Sequence, residues 1–418
     1  MPGFKVLIAG AGIAGLTLAQ GLRRGGIECE VFEREPLDTW RTGYLLNLDA
    51  EGDGGLAACL PPPLYELFVR ACGETMEGHD LSVVVDPAGH QLTSMKHVGA
   101  EATGERPPTN IDRRTFRQIL LAGLDDVVRH GTEVLGVDVT DESVEVRLAG
   151  GRTASGDVLV AADGVGSAVR RQLMPEVQII PAPVGALGLF GRAPLTHDIE
   201  AELPETIWNA GFCIVSDGRG TMLGIGHWRP RQAAPEAAAE LAIAGSLRPA
   251  RPYVMLNGAI PPGVEVPPPS EWTDETPEAM HATMAAAVAD WHPAIRRLVE
   301  RIELATLFSH PFRRLDPTPP WPTSRVTYVG DAINAMLPTL GKGANMAMRN
   351  AAVLRDELLG ADRGERPLLH AIRAYEEDMR VATYPLMELA ADHQRFGGGA
   401  LRRPGDAEAE SDQVPAAG

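Results

Sequence analysis

Cysteine is scarce in this 418-residue sequence, and the few cysteines present lie far apart. Cys29, Cys59, Cys72 and Cys213 form no CxxC pair and no cluster with histidine. This pattern argues against structural zinc and against a redox dithiol, and it favours a reducing compartment. We therefore expect no bound metal and a cytoplasmic location.

Positive charge is also in deficit, since 38 lysines and arginines face 56 acidic residues, for a formal net charge of −18. Nucleic acid and anionic membranes are bound through cationic faces, so both are disfavoured as partners. No apolar run approaches the roughly 20 residues of a membrane span. A strand predicted within a few residues of the N-terminus leaves no room for a signal peptide. The expected partners are small molecules, and the assembly is left open between a monomer and a homodimer.

The N-terminal segment has the pattern of a nucleotide-binding unit. Phe4–Ala9 is a continuous apolar run, as expected of a parallel strand that is covered on both faces. A helical segment from about Ile13 to Arg24 follows, and Glu28–Glu33 is predicted as the second strand. Together these segments predict one βαβ unit.

The middle and the end of the chain differ from this unit. Short β runs separated by Gly, Pro and Asp from about Pro181 to Pro269 predict an antiparallel sheet. Helical spacing after Ala344 predicts one helix, and a helix pair interrupted near Pro385 is predicted from Leu368 to Phe396. The predicted class is α/β, with a Rossmann-like domain, an inserted antiparallel β-sheet substrate domain and C-terminal helices. The Rossmann-like domain is assigned to residues 1–73, 101–175 and 305–360, the β domain to 74–100 and 176–304, the helices to 361–396 and a disordered tail to 397–418.

A glycine motif follows the first strand directly. In the GxGxxG spacing, Gly10 allows a tight turn, Gly12 allows the backbone to approach a pyrophosphate, and Gly15 permits close contact between helix and sheet. Glu33 ends the second strand at about the 20-residue spacing of a carboxylate that binds a ribose 2′-hydroxyl. A carboxylate there repels a 2′-phosphate, which favours FAD or NAD over NADP. Arg34 either stacks on an adenine or is solvated.

Two further motifs lie later in the chain. Asp163-Gly164 follows a predicted strand, with Ser167 near the start of a helix and Arg170 one turn on. The stretch Gly330–Asn345 follows the strand-like segment Val326–Val329 and contains a tight turn, a loop and a glycine-rich helix start. This second glycine-rich stretch predicts a return to the same nucleotide ligand from the far end of the chain.

These three motifs, in this order, resemble those of the class A flavoprotein monooxygenases, the group of para-hydroxybenzoate hydroxylase and the tetracycline-inactivating monooxygenases. The resemblance covers residues 4 to about 395 and implies an FAD-binding domain of the GR2/PHBH type. It also implies bound FAD, with NADH or NADPH as a transient co-substrate. The cofactor contacts that we expect are Gly10, Gly12, Ala14, Gly15, Glu33, Arg34, Arg41, Gly43, Arg113, Asp163, Gly164, Gly330, Asp331, Pro338, Gly341, Gly343, Ala344 and Asn345.

The resemblance assigns roles to several of these residues. Asp331 would hydrogen-bond the FAD ribityl chain or ribose, and the Gly341–Asn345 backbone would meet the flavin pyrimidine edge at a helix N-terminus. Pro338 would lie beside the isoalloxazine. Arg113 matches an arginine that contacts FAD, with Arg114 as the neighbouring alternative, and Arg41 with Gly43 matches a mobile segment beside the flavin.

Two residues depart from the family pattern. Asn334 stands where a histidine is common, and Lys342 lies between two glycines where Gln or Val is common. Lys342 either places a cation near the flavin pyrimidine carbonyl or points to solvent.

The resemblance further implies a monooxygenase that uses NAD(P)H and O2 through a flavin hydroperoxide to hydroxylate, epoxidise or Baeyer–Villiger oxidise an aromatic or polycyclic small molecule, in natural-product tailoring. The alternative is a non-redox cyclase of the same fold that binds FAD and acts on a polyene or polyketide. The candidate catalytic residues are Arg41, His227 and Pro338, with His227 as a base for a phenolic proton. The expected substrate pocket comprises Trp208, Phe212, Met222, His227, Asn257 and Leu337.

Overall fold

The structure, a computed structural model, describes residues 3–37, 44–74, 81–96, 109–181, 187–218, 220–245, 247–259 and 276–391. Its strands are β1 (Lys5–Ala9), β2 (Glu28–Glu33), β3 (Leu45–Leu48), β4 (Leu81–Val85), β5 (Gln91–Lys96), β6 (Thr109–Asp112), β7 (Val128–His130), β8 (Val134–Val139), β9 (Val144–Leu148), β10 (Thr153–Gly156), β11 (Val158–Ala161), β12 (Ile180–Pro181), β13 (Leu187–Pro194), β14 (Phe212–Ser216), β15 (Met222–Trp228), β16 (Tyr253–Ala259), β17 (Phe308–Pro311), β18 (Arg313–Arg314) and β19 (Val326–Tyr328). Its helices are α1 (Ile13–Gly25), α2 (Ala50–Cys59), α3 (Pro62–Ala71), α4 (Arg113–Leu121), α5 (Ala168–Leu173), α6 (His197–Glu202), α7 (Glu205–Trp208), α8 (Ala234–Glu240), α9 (Thr276–Ala287), α10 (Pro293–Glu300), α11 (Asp331–Asn334), α12 (Gly343–Asp362) and α13 (Leu368–Ala391).

A parallel sheet in the order β19-β11-β1-β2-β7 forms the nucleotide domain. Two of its strands, β1 and β11, are largely apolar and buried, β11 along its whole length, and helix α1 packs on β1 and β2. The last strand of the sheet, β19, comes from residues more than 150 positions after β11 and pairs with it in register from Leu159 and Val326 onwards. The two halves of the chain therefore share one domain, as the sequence predicts.

The inserted sheet has the order β17-β13-β16-β15-β14-β4-β5, antiparallel except for the β14–β4 pair. Leu189, Ile225 and Leu256 lie on its back face, in a core shared with Met284 of α9 and Ile295 of α10. The opposite side, which we call the front face, packs against the nucleotide domain. Its buried members are Phe190, Trp228, Tyr253, Met255 and Phe308, in a cluster with Leu45 of β3.

Two sequence-based expectations differ from the structure. The boundary at residue 305 falls too early, because β17 pairs with β13 and so belongs to the inserted sheet. The predicted helix pair is one helix, α13, with Pro385 inside it. Pro385 lacks the N–H that would reach the Val381 carbonyl, and Val381 is 78% exposed, so solvent can satisfy that carbonyl without a break in the helix. Residues 392–418, including the predicted tail, lie outside the described residues.

Helix α13 is hydrogen-bonded to β19 and to the segment that precedes it. The buried Glu376 carboxylate accepts hydrogen bonds from Trp321 Nε1 (3.1 Å), Thr323 Oγ1 (3.0 Å) and Thr327 Oγ1 (3.0 Å). Burial raises the pKa of this carboxyl group above its usual range, although the three donors oppose the rise. Because β19 leads directly into Gly330, this clamp determines where the third sequence motif emerges from the sheet. Among the described residues, every helix is too short or too polar to cross a membrane.

Replacement of Glu376 tests this clamp. Glu376→Ala leaves three donors without their acceptor, and we expect a loss of about 3 kcal/mol or more in the free energy of unfolding. The measurement is denaturant unfolding followed by circular dichroism. Glu377→Ala, at the neighbouring exposed position, is the control and should change stability by less than about 0.5 kcal/mol. Equal stability of the two variants would contradict the clamp.

Candidate functional site

The first glycine motif turns sharply at the end of β1. Gly10 has φ +102°, and a Cβ there would lie 2.4 Å from the Ala162 carbonyl oxygen. A Cβ at Gly15 would lie 2.1 Å from the Gly10 carbonyl oxygen, so both positions require glycine. Gly12 has no neighbouring atom within 4 Å of a Cβ position. Its backbone is open on that side, as expected where a pyrophosphate approaches a helix start.

The second motif lies beside the first, at the end of β11. Asp163 Oδ2 accepts from the Ala168 backbone N–H (2.8 Å) at the start of α5, where Ser167 is the N-cap. Within the described part of the chain, the buried Oδ1 of Asp163 has no hydrogen-bond partner. Burial raises the pKa of this carboxyl group. Gly164 has φ +75° and, like Gly12, has no atom near its Cβ position.

The third motif closes against the first. Gly330 has φ +62° and ψ −147°, a conformation that favours glycine, and a Cβ there would lie 2.9 Å from the Ala14 Cβ. The side chain of Ala14 thus packs the two motifs together. Asp331 is accessible to solvent. Desolvation nevertheless raises the pKa of its carboxyl group, and the positive charge of Arg113 opposes this rise.

Arg170 joins the second and third motifs directly. Its side chain is fully buried, and its guanidinium donates hydrogen bonds to the carbonyl oxygens of Val165 and Ala332. The two turns cannot move apart without breaking these bonds. The motif arginine is therefore a connector between the loops, a role that spacing alone did not reveal.

The loop after α11 leads into the long helix α12. Pro338 is exposed at the start of a 3-10 turn, Leu337 beside it is buried, and Gly341 has φ +64°. The first N–H groups of α12, from Gly343 onwards, have no acceptor within the helix and carry the positive end of its dipole. The side chain of Asn345 is already committed to the protein: it donates to the carbonyls of residues 47 and 341 (both 3.0 Å) and accepts from the residue 49 N–H (3.1 Å). As a cofactor contact, Asn345 can therefore offer only its backbone.

Lys342 does not point to solvent. Its side chain is 2% exposed, and Nζ donates to Asp49 Oδ2 (2.6 Å) and Glu51 Oε2 (2.9 Å) at the start of α2. These two carboxylates neutralise the lysine, which therefore supplies no free cation to a flavin. The other departure from the family pattern, Asn334, is buried, and its amide has no partner among the described residues.

Helix α4 brings two arginines to the nucleotide cleft. Arg117, which none of the sequence motifs contains, donates from Nε to the Ala11 carbonyl (2.9 Å) and lies 3.5 Å from Glu33 Oε2. The sequence does contain a signal for it, because its i, i+4 spacing from Arg113 places both arginines on the same face of a helix. Glu33 also accepts from the Ala11 N–H (2.8 Å), so its carboxylate lies against the glycine turn. Arg34 is 67% exposed beside Glu35 and takes no part in this arrangement.

Three of the predicted pocket residues lie on the front face of the inserted sheet. A Cβ at Gly224 would lie 2.6 Å from Phe212 Cζ, so the Phe212 ring lies against that glycine. Met222 and Asn257 project to the same side, because they alternate with back-face neighbours along β15 and β16.

Trp208 and His227 lie on the wrong side of the sheet for a pocket. His227 pairs across the strands with Val254, a back-face core residue, and its ring stacks on Trp208 at 4.3 Å between centroids. The expectation of His227 as a base or pocket residue is corrected: the strand's two-residue alternation turns its side chain away from the nucleotide domain. Arg41 and Gly43 lie outside the described residues.

An aromatic wall, formed by Tyr44, Phe190, Phe308 and Phe312, covers part of the front face. Phe190 and Phe308 stack at 5.1 Å, Tyr44 stacks on Phe190 at 5.4 Å, and Phe312 meets Phe190 edge-on at 6.2 Å. The Arg113 guanidinium lies 5.1 Å from the Tyr44 ring centre. This arginine therefore lies between the nucleotide cleft and the aromatic wall.

The arrangement defines a dinucleotide site in which three loops meet at the carboxyl edge of a parallel sheet. FAD fits it: the glycine turns are open to a pyrophosphate, Asp163 has an unpaired oxygen, and the start of α12 offers N–H groups. The described residues contain no group of His, Cys, Asp and Glu side chains suited to a metal ion.

Comparisons with known proteins agree. The FAD binding domain family matches residues 267–384. The dual O-methyltransferase/FAD-dependent monooxygenase elcB of Phaeosphaeria nodorum is 31% identical over 373 residues, which cover 84% of this chain and 39% of elcB. The aurachin C monooxygenase/isomerase of Stigmatella aurantiaca is 28% identical over 356 residues, 84% of this chain and 80% of that protein. A crystal structure from Photorhabdus luminescens, provisionally described as an FAD-containing monooxygenase, matches with a TM-score of 0.77 and 26% identity over 94% of this chain and 98% of that one.

In sequence and fold the chain is similar to the class A FAD-dependent monooxygenases, the para-hydroxybenzoate hydroxylase-like family. The expected α/β fold and the expected cofactor, FAD, are confirmed with it. The chain spans only about two fifths of the length of elcB, 39%.

Asp331→Ala tests the third motif. We expect a strong loss of FAD retention, because the family resemblance implies that Asp331 hydrogen-bonds the FAD ribityl chain or ribose. The measurement is the flavin-to-protein ratio after purification, followed by FAD titration of the apoprotein. Asp141→Ala, an exposed acid in the β8–β9 turn, is the control. Glu33→Ala should weaken binding less, by about 1–3 kcal/mol. Full flavin content in Asp331→Ala would refute the assignment.

Proposed function

We propose that this protein is a monooxygenase that uses FAD, NADH or NADPH, and O2 to insert one oxygen atom into an aromatic or polycyclic small molecule. In the balanced reaction, substrate, O2, NAD(P)H and a proton give oxygenated product, water and NAD(P)+. The observation that supports it is the juxtaposition of the three-loop FAD cleft with the aromatic front face of the inserted sheet. A role in natural-product tailoring is suggested by the printed activities of relatives such as the aurachin C monooxygenase/isomerase.

When bound and reduced, FAD supplies the chemistry with O2. The residues of the chain orient the reactants and exclude water. The open backbone at Gly12 and Gly164 and the start of α12 would hold the cofactor phosphates and ring edge. The front face would form the substrate roof, where the aromatic wall offers flat, apolar contacts to a ring system. Burial of the substrate between the two surfaces keeps water from the reacting atoms.

Anaerobic reduction tests the activity. NADH or NADPH, added to the FAD-loaded protein with a panel of aromatic and polycyclic compounds, should bleach the oxidised flavin absorbance. Readmission of O2 should then restore that absorbance and yield a product heavier by one oxygen atom. A flavin that no combination of donor and compound reduces would refute the monooxygenase and favour the non-redox cyclase.

A matched pair of glycine variants tests the front-face pocket. Gly224→Ala would push its Cβ against the Phe212 ring at 2.6 Å and move that ring toward the cleft. We expect the KM of a substrate found in the screen to rise about tenfold, from a strain of roughly 1–3 kcal/mol. Gly258→Ala is the control, because its Cβ would meet back-face Met284 at an ordinary 3.4 Å. Equal KM values in both variants, with FAD retained, would place the substrate elsewhere.

A further inference from the structure

Several polar side chains on the front face of the inserted sheet are bonded within the protein. Arg192, Tyr253 and Ser216 each have a hydrogen-bond partner in the chain. Asn257 and His310 differ, because among the described residues no group forms a hydrogen bond with either side chain. His310 lies on the edge strand β17, whereas Asn257 lies on β16, two strands further into the sheet. Of these two, only Asn257 is flanked by strands on both sides.

Asn257 lies on the side of β16 that faces the nucleotide domain. It pairs with Phe190 of β13 and with Gly224 of β15, and both are front-face positions. Its side chain is half-buried, and its Oδ1 atom would lie 3.0 Å from a Cβ at Gly188. Atoms of the Phe190 and Phe312 rings would lie 2.8 Å from that same Cβ. The absence of a side chain at Gly188 therefore allows the amide and two rings of the aromatic wall to meet at one point.

The strand on the other side of Asn257 also lacks side chains on this face. Gly224 and Gly226 are consecutive front-face positions of β15, and the Phe212 ring fills the space beside them. A Cβ at Gly224 would lie 2.6 Å from Phe212, and one at Gly226 would lie 3.3 Å from it. Aromatic rings therefore flank the amide over both neighbouring strands. These surroundings suit a planar ring system, with the amide to orient it.

An amide in apolar surroundings selects its partner by hydrogen bonding. Its oxygen accepts and its NH2 group donates, side by side in one plane. Both are satisfied at once by a ligand edge that has a donor next to an acceptor, which is how asparagine recognises adenine. A ligand without such an edge would cover the amide and leave part of it without a hydrogen bond, so its binding is weaker. The site therefore distinguishes ligands by the hydrogen-bonding pattern on their edge.

We propose that Asn257 is a specificity-determining residue of the substrate site, and that the substrate is a planar ring system with a carbonyl group beside a ring N–H, as in a cyclic amide. This inference rests on the proposed monooxygenase function and names its substrate class. Asn257 Nδ2 donates to the ring carbonyl, and Oδ1 accepts from the ring N–H. The flanking aromatic rings contact the rest of the ligand and fix its orientation relative to the cofactor cleft.

A binding experiment on oxidised FAD-loaded protein tests the proposal without turnover. The probes are 2-quinolinone, a cyclic amide, and coumarin, which has the same shape and carbonyl group but a ring oxygen in place of the N–H. The measurement is titration calorimetry with each probe. Wild-type protein should bind 2-quinolinone about tenfold more tightly than coumarin, because coumarin leaves the Asn257 oxygen without a donor.

Two variants of Asn257 remove the recognition in different ways. Asn257→Leu has a similar volume but neither donor nor acceptor, so it should bind the two probes with equal affinity. Asn257→Asp keeps the shape and replaces the donor with a second acceptor. The 2-quinolinone carbonyl then faces a carboxylate oxygen, and its binding should weaken about tenfold. Asn209→Leu, at the exposed C-terminal end of α7, is the control and should behave as wild type.

Three results would overturn the proposal: equal affinity of the wild type for the two probes, a preference for 2-quinolinone that persists in Asn257→Leu, or no binding of 2-quinolinone by the wild type. Flavin absorbance verifies that each variant keeps its fold. Failure of the monooxygenase function would be seen separately. In that case NADH and NADPH would never bleach the flavin, even though the wild type distinguishes the two probes.

Discussion

The relative position of the two sheets depends on one buried carboxylate. Asp112 is fully buried, and its Oδ1 accepts from Arg192 (2.9 Å) and from the Tyr253 hydroxyl (3.1 Å), both on the inserted sheet. Its Oδ2 caps α4, the helix that carries Arg113 and Arg117 to the nucleotide cleft. The desolvation cost of a buried ion pair such as Asp112 and Arg192 offsets most of the attraction between the two charges. Loss of one partner nevertheless typically costs about 3–5 kcal/mol. The ion pair therefore adds little to overall stability. Its main effect is to fix the distance between the front face and the cofactor loops.

A second buried ion pair fixes the loop before α12. The helices α2 and α12 begin side by side, so two positive helix ends meet there. Asp49 is the N-cap of α2 and compensates the positive end of that helix, while Lys342 at the N-cap of α12 adds a further cation. Charge balance at this junction requires both Asp49 and Glu51. This arrangement explains how a lysine is tolerated between two loop glycines that approach a cofactor, and why it cannot also act on that cofactor.

The cofactor half of the site was predictable because its signals are local. Gly10, Gly12 and Gly15 lie in one turn, and both the positive φ of Gly10 and the close approach of Gly15 to the Gly10 carbonyl arise within that turn. The substrate half was not. Strand β15 is buried along almost its whole length, so no polar alternation revealed which face His227 occupies. The partners of β17 lie more than 100 residues earlier in β13, and Lys342 meets a carboxylate 293 residues away. Such contacts depend on the completed fold.

The two halves of the site also share an electrostatic link through Arg113. Its charge opposes the rise that burial causes in the pKa of Asp331, and it adds to the fall that burial causes in the pKa of His310. For an acid this effect favours the charged form, and for a base it favours the neutral form. One guanidinium thus favours the ionised carboxyl group of Asp331 and the neutral imidazole of His310. Because α4 is capped by Asp112, the carboxylate that positions the two sheets also positions the cation that acts on both groups.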